Sequence, residues 1–188
     1  MKKLHSLITL LFIVILTACA NNANREAILK EMRVVAVNDF RSEITTDTPL
    51  NWYADFKIIM ANPRPDTAEF TLFIKQQIED EIIKKGLNFQ IDGEESKYQV
   101  IAFALVGEKE ATLDYLDIFK LFPELAHNTD FEQGTLIVAI IDPVAKKSAW
   151  RASVKLYLDP NLAKELRKIR ISKTITRVLN TLKLPKST

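Results

Sequence analysis

The sequence predicts an α/β protein, a single-domain α/β sandwich with a mixed, mostly antiparallel sheet and two main helices. Three patterns carry that prediction. Tyr98 to Val106 (YQVIAFALV, from Val100 onward) and Thr135 to Ile141 (TLIVAII) are apolar on both alternating sets, as in central strands covered on both faces. Trp150, Ala152, Val154 and Leu156 alternate with Arg151, Ser153, Lys155 and Tyr157, the pattern of a strand with one buried face. Phe70, Ile74, Ile78 and Ile82 recur at i+4 down one face of a helix.

Taken in order, the chain opens with Lys2 and Lys3, a ten-residue apolar stretch from Leu7 to Leu16, and then Leu16-Thr17-Ala18-Cys19. This is the charged, apolar and small-residue order of a secretory signal. Ten apolar residues fall short of the roughly 17–25 needed to span a bilayer, and Asn21, Asn22, Asn24 and Arg25 follow at once. Leu-Thr-Ala-Cys resembles the bacterial lipobox, in which the cysteine is acylated and becomes the mature N-terminus. Residues 1–18 are thus expected to be a signal peptide, Cys19 the lipidation site, and 19–32 the lipidated N-terminus and tether. Two or three acyl chains would anchor the protein stably. Ala20, where aspartate would favour retention at the inner membrane, points to the outer membrane facing the periplasm. Cys19 is the single cysteine, so no intrachain disulfide can form and the core must hold the fold.

The domain, residues 33–188, begins with a strand over Arg33 to Phe40, whose valines are β-branched, followed by a polar loop over 41–51. Trp52 to Met60 reads as a second strand, closed by Asn62-Pro63-Arg64-Pro65. Asp66 and Glu69 are spaced as a capping box for a helix over about 66–85, with Lys84, Lys85 and Gly86 suited to its C-terminal end. Glu79-Asp80-Glu81 reads as a solvated face, because successive helical residues point about 100° apart and cannot converge on one ion. Asp142 to Lys147 makes the turn of a hairpin between the strands on either side. Asp159 and Pro160 read as the cap and first turn of a helix running toward Leu184. Its apolar phase breaks, with Leu162, Leu166 and Ile169 on one stripe and Ile171, Ile175, Val178 and Leu182 on another. Either a bend or two helices meeting near Ser172 would accommodate that. The order is β-β-α-β, an insert, then β-β-α.

From Trp52 onward, the chain resembles the bacterial lipoproteins grouped as domain of unknown function 4136. The likeness is carried by IIKKGLNF (Ile82 to Phe89), KYQV (Lys97 to Val100) and FEQGTLIVAIIDPVAKKSAWRASV (Phe131 to Val154), and it covers about 135 of the 188 residues. The resemblance implies an α/β envelope lipoprotein and brings no catalytic residue with it. For its Trp-Arg pair, Trp150 is expected to pack inward and Arg151 to point outward.

Chemistry is sparse. His127 is the one histidine of the mature chain, in the polar stretch His127-Asn128-Thr129-Asp130, and Cys19 is expected to be acylated. No Gly-x-Ser-x-Gly elbow, EF-hand, Walker or dinucleotide motif occurs, and neither a metal nor a cofactor is expected. Asp39, Asp55 and Asp142 lie near strand ends, where turn and capping roles explain them as well as catalysis does. Two segments are candidates for binding. Leu113 to Phe122 (LDYLDIFKLF) is apolar around most of a helix, and Leu113, Tyr115, Leu116, Phe119 and Phe122 could pack as core or form a docking surface. Residues 160–188 hold eight basic residues and one acid, net +7, against net −7 for 19–159. Arg167, Arg170, Lys173 and Arg177 fall on one side of a helix as a candidate contact for anionic lipid or a cell-wall component, or as a solvated face. Nucleic acid is not expected for an exported chain.

The leading expectation is a non-catalytic, membrane-anchored envelope lipoprotein, a module that binds a protein partner in envelope assembly or maintenance. Its competitors are a carrier or sensor of a small apolar or lipid ligand, which needs a pocket, and a carboxylate-based hydrolase, which needs two converging carboxylates.

Overall fold

The computed structural model describes residues 34–39, 42–60, 63–90, 96–106, 116–125, 134–155 and 162–184. The signal peptide, Cys19 and the tether, Leu113, Tyr115, His127, Leu156, Tyr157 and the Asp159-Pro160 cap lie outside the described residues. The elements are β1 (Val34–Asn38), β2 (Pro49–Trp52), β3 (Lys57–Met60), α1 (Thr67–Lys84), β4 (Asn88–Phe89), β5 (Tyr98–Val106), α2 (Leu116–Leu121), a 3₁₀ turn (Pro123–Leu125), β6 (Thr135–Asp142), β7 (Lys147–Lys155) and α3 (Lys164–Leu179). The strands form one seven-stranded mixed sheet in the order β1-β7-β6-β5-β2-β4, with β3 also pairing β5. With α1 and α3 as its main helices, this is the expected open α/β sandwich.

The two continuously apolar runs are the central strands. β5 and β6 pair antiparallel from Gln99↔Ile141 to Leu105↔Thr135 and are buried almost throughout. β6 and β7 form the expected hairpin, with a register shift between Ile140 and Ile141. Its turn is held by Asp142 Oδ1, which accepts from the Ala145 backbone N–H at 2.8 Å. Trp150, Ala152 and Val154 are buried, while Arg151 and Ser153 are half-buried on the opposite face.

The expected strand over 52–60 is instead two strands, and the loop expected over 41–51 gives its last residues to the first of them. β2 and β3 run parallel to the same edge of β5, with Trp52 opposite Val100 and Lys57 opposite Phe103. The chain takes five steps where β5 takes three, so after the Tyr53 backbone N–H bonds Val100 O at 2.8 Å the chain leaves the ladder over 54–56. That excursion buries Phe56 and brings the Tyr53 ring edge-on to Phe122 at 6.0 Å. Continuous alternation in WYADFKIIM hid the break because Phe56 is buried off the sheet. The two-residue β4, which the sequence did not signal, pairs parallel to β2 just after Gly86. Gly86 has φ of 86°, the left-handed conformation that ends α1.

α1 buries Phe70, Ile74, Ile78 and Ile82, as their spacing predicts. Each such side chain contributes roughly 1.5–3 kcal/mol by leaving water. The capping box does not form: Asp66 makes no side-chain cap bond. Arg64 instead donates its backbone N–H to Thr67 Oγ1 at 2.8 Å, and Asp66 and Glu69 turn to cations on α3.

α3 is one continuous helix through Ser172 and is not divided there. It begins at Lys164 after Ala163, later than the expected start, and ends at Leu179 with Asn180 as its C-cap, short of Leu184. Ile171, Thr174, Ile175, Val178 and Leu179 are buried, whereas Leu166 and Ile169 are 45% and 42% exposed. The phase break therefore marks two faces of one helix.

α1 and α3 pack together over one face of the sheet. On the other face Ile59, Ile101, Phe103, Leu105, Ile137, Ala139 and Ile141 cluster with Phe122 and Leu125, and Ile118 and Phe119 pack against them.

Candidate functional site

Of the apolar segment ending at Phe122, the described Ile118, Phe119 and Phe122 belong to this second core. Phe122 is 1% exposed, and Phe119 is half-buried with its ring 5.8 Å from that of Phe103. Leu116 opens α2. Among the side chains described in this segment, Leu121 is the large apolar one that faces solvent, at 39% exposure.

The basic residues of α3 divide between two sides. Arg167 faces α1: its Nη2 donates to Asp66 Oδ2 at 2.7 Å, and its guanidinium lies 4.7 Å from the centre of the Phe70 ring. Its Nε is buried without a hydrogen-bond partner. Glu69 lies between Lys164 at 2.5 Å and Lys168 at 2.9 Å. Hydrogen bonds from Lys164 and then Lys168 hold the Glu69 carboxyl below the usual glutamate range, and the bond to Glu69 raises Lys168. Ser172 Oγ and Gln77 Oε1 continue the row at 2.6 Å. Three of the eight cations of the C-terminal segment thus meet two acids of the body between α1 and α3. Arg170 is half-buried, while Lys173 and Arg177 are exposed on the outer side of α3. The four cations do not form a single surface.

The acidic candidates have separate roles. Asp55 pairs with Lys75 at 2.8 Å, and that bond lowers its pKa. Asp142 holds the hairpin turn, and the Asp39 backbone N–H bonds Ala149 O. In the Glu79-Asp80-Glu81 run, Glu79 accepts from Trp52 Nε1 at 2.7 Å, and Glu81 pairs with Lys84 at 2.8 Å. Among the described residues, no group of three or more His, Cys, Asp or Glu is placed to hold a metal ion, and no helix is long and apolar enough to cross a membrane.

One recess had no signal in the sequence. It encloses about 260 Å³ between the end of β1, the start of β7 and the segment after α3, where Asp39, Ser42, Ile44, Trp150, Leu182 and Lys183 line it. Asn38 ties that last segment down, donating from Nδ2 to Thr181 O and accepting at Oδ1 from the Lys183 backbone N–H, both at 3.4 Å. Trp150, 1% exposed, forms part of the wall, and its Nε1 is buried without a hydrogen-bond partner. Nearby Lys85 is pushed below the usual lysine range by burial and then by the charge of Lys183.

No family model and no curated protein matches the sequence. Among solved structures, the chain is similar to the PelC dodecamer from Paraburkholderia phytofirmans, at 9% identity over 82% of this chain and 99% of that one, with a TM-score of 0.50. It is also similar to a DUF4136 family protein from Bacteroides thetaiotaomicron, at 7% identity over 78% of this chain and 95% of that one, with a TM-score of 0.44. The chain thus shares an α/β fold with PelC.

Proposed function

We propose that this chain is a bacterial envelope lipoprotein, anchored through acylated Cys19, whose α/β domain binds a protein partner and catalyses no reaction. The observation that carries the reading is the order of Lys2-Lys3, the apolar Leu7–Leu16 stretch and Leu-Thr-Ala-Cys, ending on the chain's single cysteine. Its fold is similar to that of a protein crystallised as a dodecamer, which supports an assembling role. Val37 on β1 and Leu121 on α2, each 39% exposed, are the positions from which to seek a partner. A photo-crosslinking amino acid placed at each in the native envelope should give a discrete adduct that a probe at the exposed α1 residue Leu72 does not. Identical, diffuse products at all three positions would count against a partner.

A second reading, a carrier of a small ligand, draws on the recess beside Trp150 and its unpartnered indole N–H. At about 260 Å³ the recess is slightly smaller than the roughly 300–1,000 Å³ of typical ligand sites. Trp52→Phe leaves Trp150 as the single tryptophan. Titration of that variant with octanoate gives a saturable emission change if the recess is a site, and a flat response removes the reading.

A further inference from the structure

The two apolar stripes of α3 lie on opposite sides of one helix. At about 100° per residue, Ile171, Ile175 and Val178 centre roughly 180° from Leu166 and Ile169. The first set is buried against the sheet. The second faces out, with Leu166 and Ile169 more than two-fifths exposed, and Lys173 and Arg177 extend the same outward stripe as exposed cations. Glu165, the carboxylate bordering this stripe, lies 3.9 Å from Lys168. The outward face is therefore aliphatic at its N-terminal half and basic at its C-terminal half, a composition suited to the boundary between acyl chains and anionic headgroups.

We infer that this face of α3 lies against an anionic phospholipid surface, with Leu166 and Ile169 entering the headgroup region and Lys173 and Arg177 on the phosphates. The inference rests on the anchored reading above. Fourteen residues separate Cys19 from Val34, so the start of the domain can stand at most about 50 Å from the acylated residue, at roughly 3.3–3.6 Å per residue. The tether keeps the domain within reach of the bilayer, and charge complementarity selects the anionic one. Each cation near such a surface strengthens contact roughly fivefold, an effect that salt weakens.

The test uses the full acylated chain, purified in detergent and returned to vesicles of phosphatidylcholine alone or of phosphatidylcholine with phosphatidylglycerol. An Ile169→Cys variant carries an environment-sensitive dye, and a Leu72→Cys variant serves as the control on α1. Flotation with the vesicles reports the anchor, and acrylamide quenching of the dye reports the docking, so the two readings fail separately. The dye at 169 should shift to the blue and lose quenching on the phosphatidylglycerol vesicles, and Lys173→Glu alone should lower the docked-to-free ratio at least about fivefold. Lys173→Glu with Arg177→Glu, or high salt, should restore the quenching, and the dye at 72 should stay quenched throughout. Equal quenching at 169 on both vesicle types overturns the inference. So does protection that needs no vesicles and grows with protein concentration, which would place a second copy of the chain on this face.

Discussion

Arg167 and Asp66 stand 101 residues apart in sequence and 2.7 Å apart in the fold, where the guanidinium donates to the carboxylate across the α1–α3 interface. Both side chains are mostly shielded, at 16% and 27% exposure. Asp66→Ala should therefore destabilise the domain by about 2 kcal/mol in urea unfolding, the range of a hydrogen bond to a charged group. Asp66→Ser separates this role from a helix cap. Serine is as good a cap as aspartate but carries no charge to meet Arg167, so it should cost about as much as alanine.

Glu69 supplies a pH dependence whose sign follows from the same interface. Its folded pKa is lowered by Lys164 and Lys168, so the stability it adds is present above its unfolded pKa and is lost as pH falls through the folded one. Loss should thus appear below about pH 4.3, the unperturbed glutamate value. Unfolding midpoints measured across that range should show a shallower acid limb in Glu69→Gln than in the parent, with the difference shrinking at high salt.

The two faces of α3 predict opposite outcomes for similar substitutions. Ile175 is fully buried, and Ile175→Ala should cost about 2–5 kcal/mol by leaving a cavity. Ile169 is 42% exposed, and Ile169→Ala should stay within about 0.5 kcal/mol of the parent. Chemical denaturation of the pair measures both.

Gly86→Ala tests the end of α1. An added Cβ would meet Thr46 Cγ2 at 3.5 Å, an ordinary contact, so the cost comes from the φ of 86° rather than from space. About 1 kcal/mol is expected in equilibrium unfolding.

Much of the fold was legible because its signals are local. The i+4 series from Phe70 to Ile82, the doubly apolar β5 and β6, and the alternation around Trp150 each report burial through periodicity alone. What the sequence misplaced depended on partners far along the chain. Asp66 and Glu69 have the spacing of a capping box, but that spacing also sets two carboxylates facing Lys164, Arg167 and Lys168 on α3. The phase break of α3 left a division into two helices open because a helix buried on one side needs a single apolar stripe, and the second stripe acquires meaning only once the first is seen against the sheet. The break between β2 and β3 was hidden because Phe56 is buried away from the ladder and Tyr53 rests its ring edge-on against Phe122. The recess beside Trp150 draws on β1, β7 and the segment after α3, and no stretch of sequence contains it.

The central claim is the lipid anchor, and metabolic labelling with a fatty-acid analogue tests it most directly. The wild-type protein should be labelled and Cys19→Ala should not; equal labelling of the two would contradict the account.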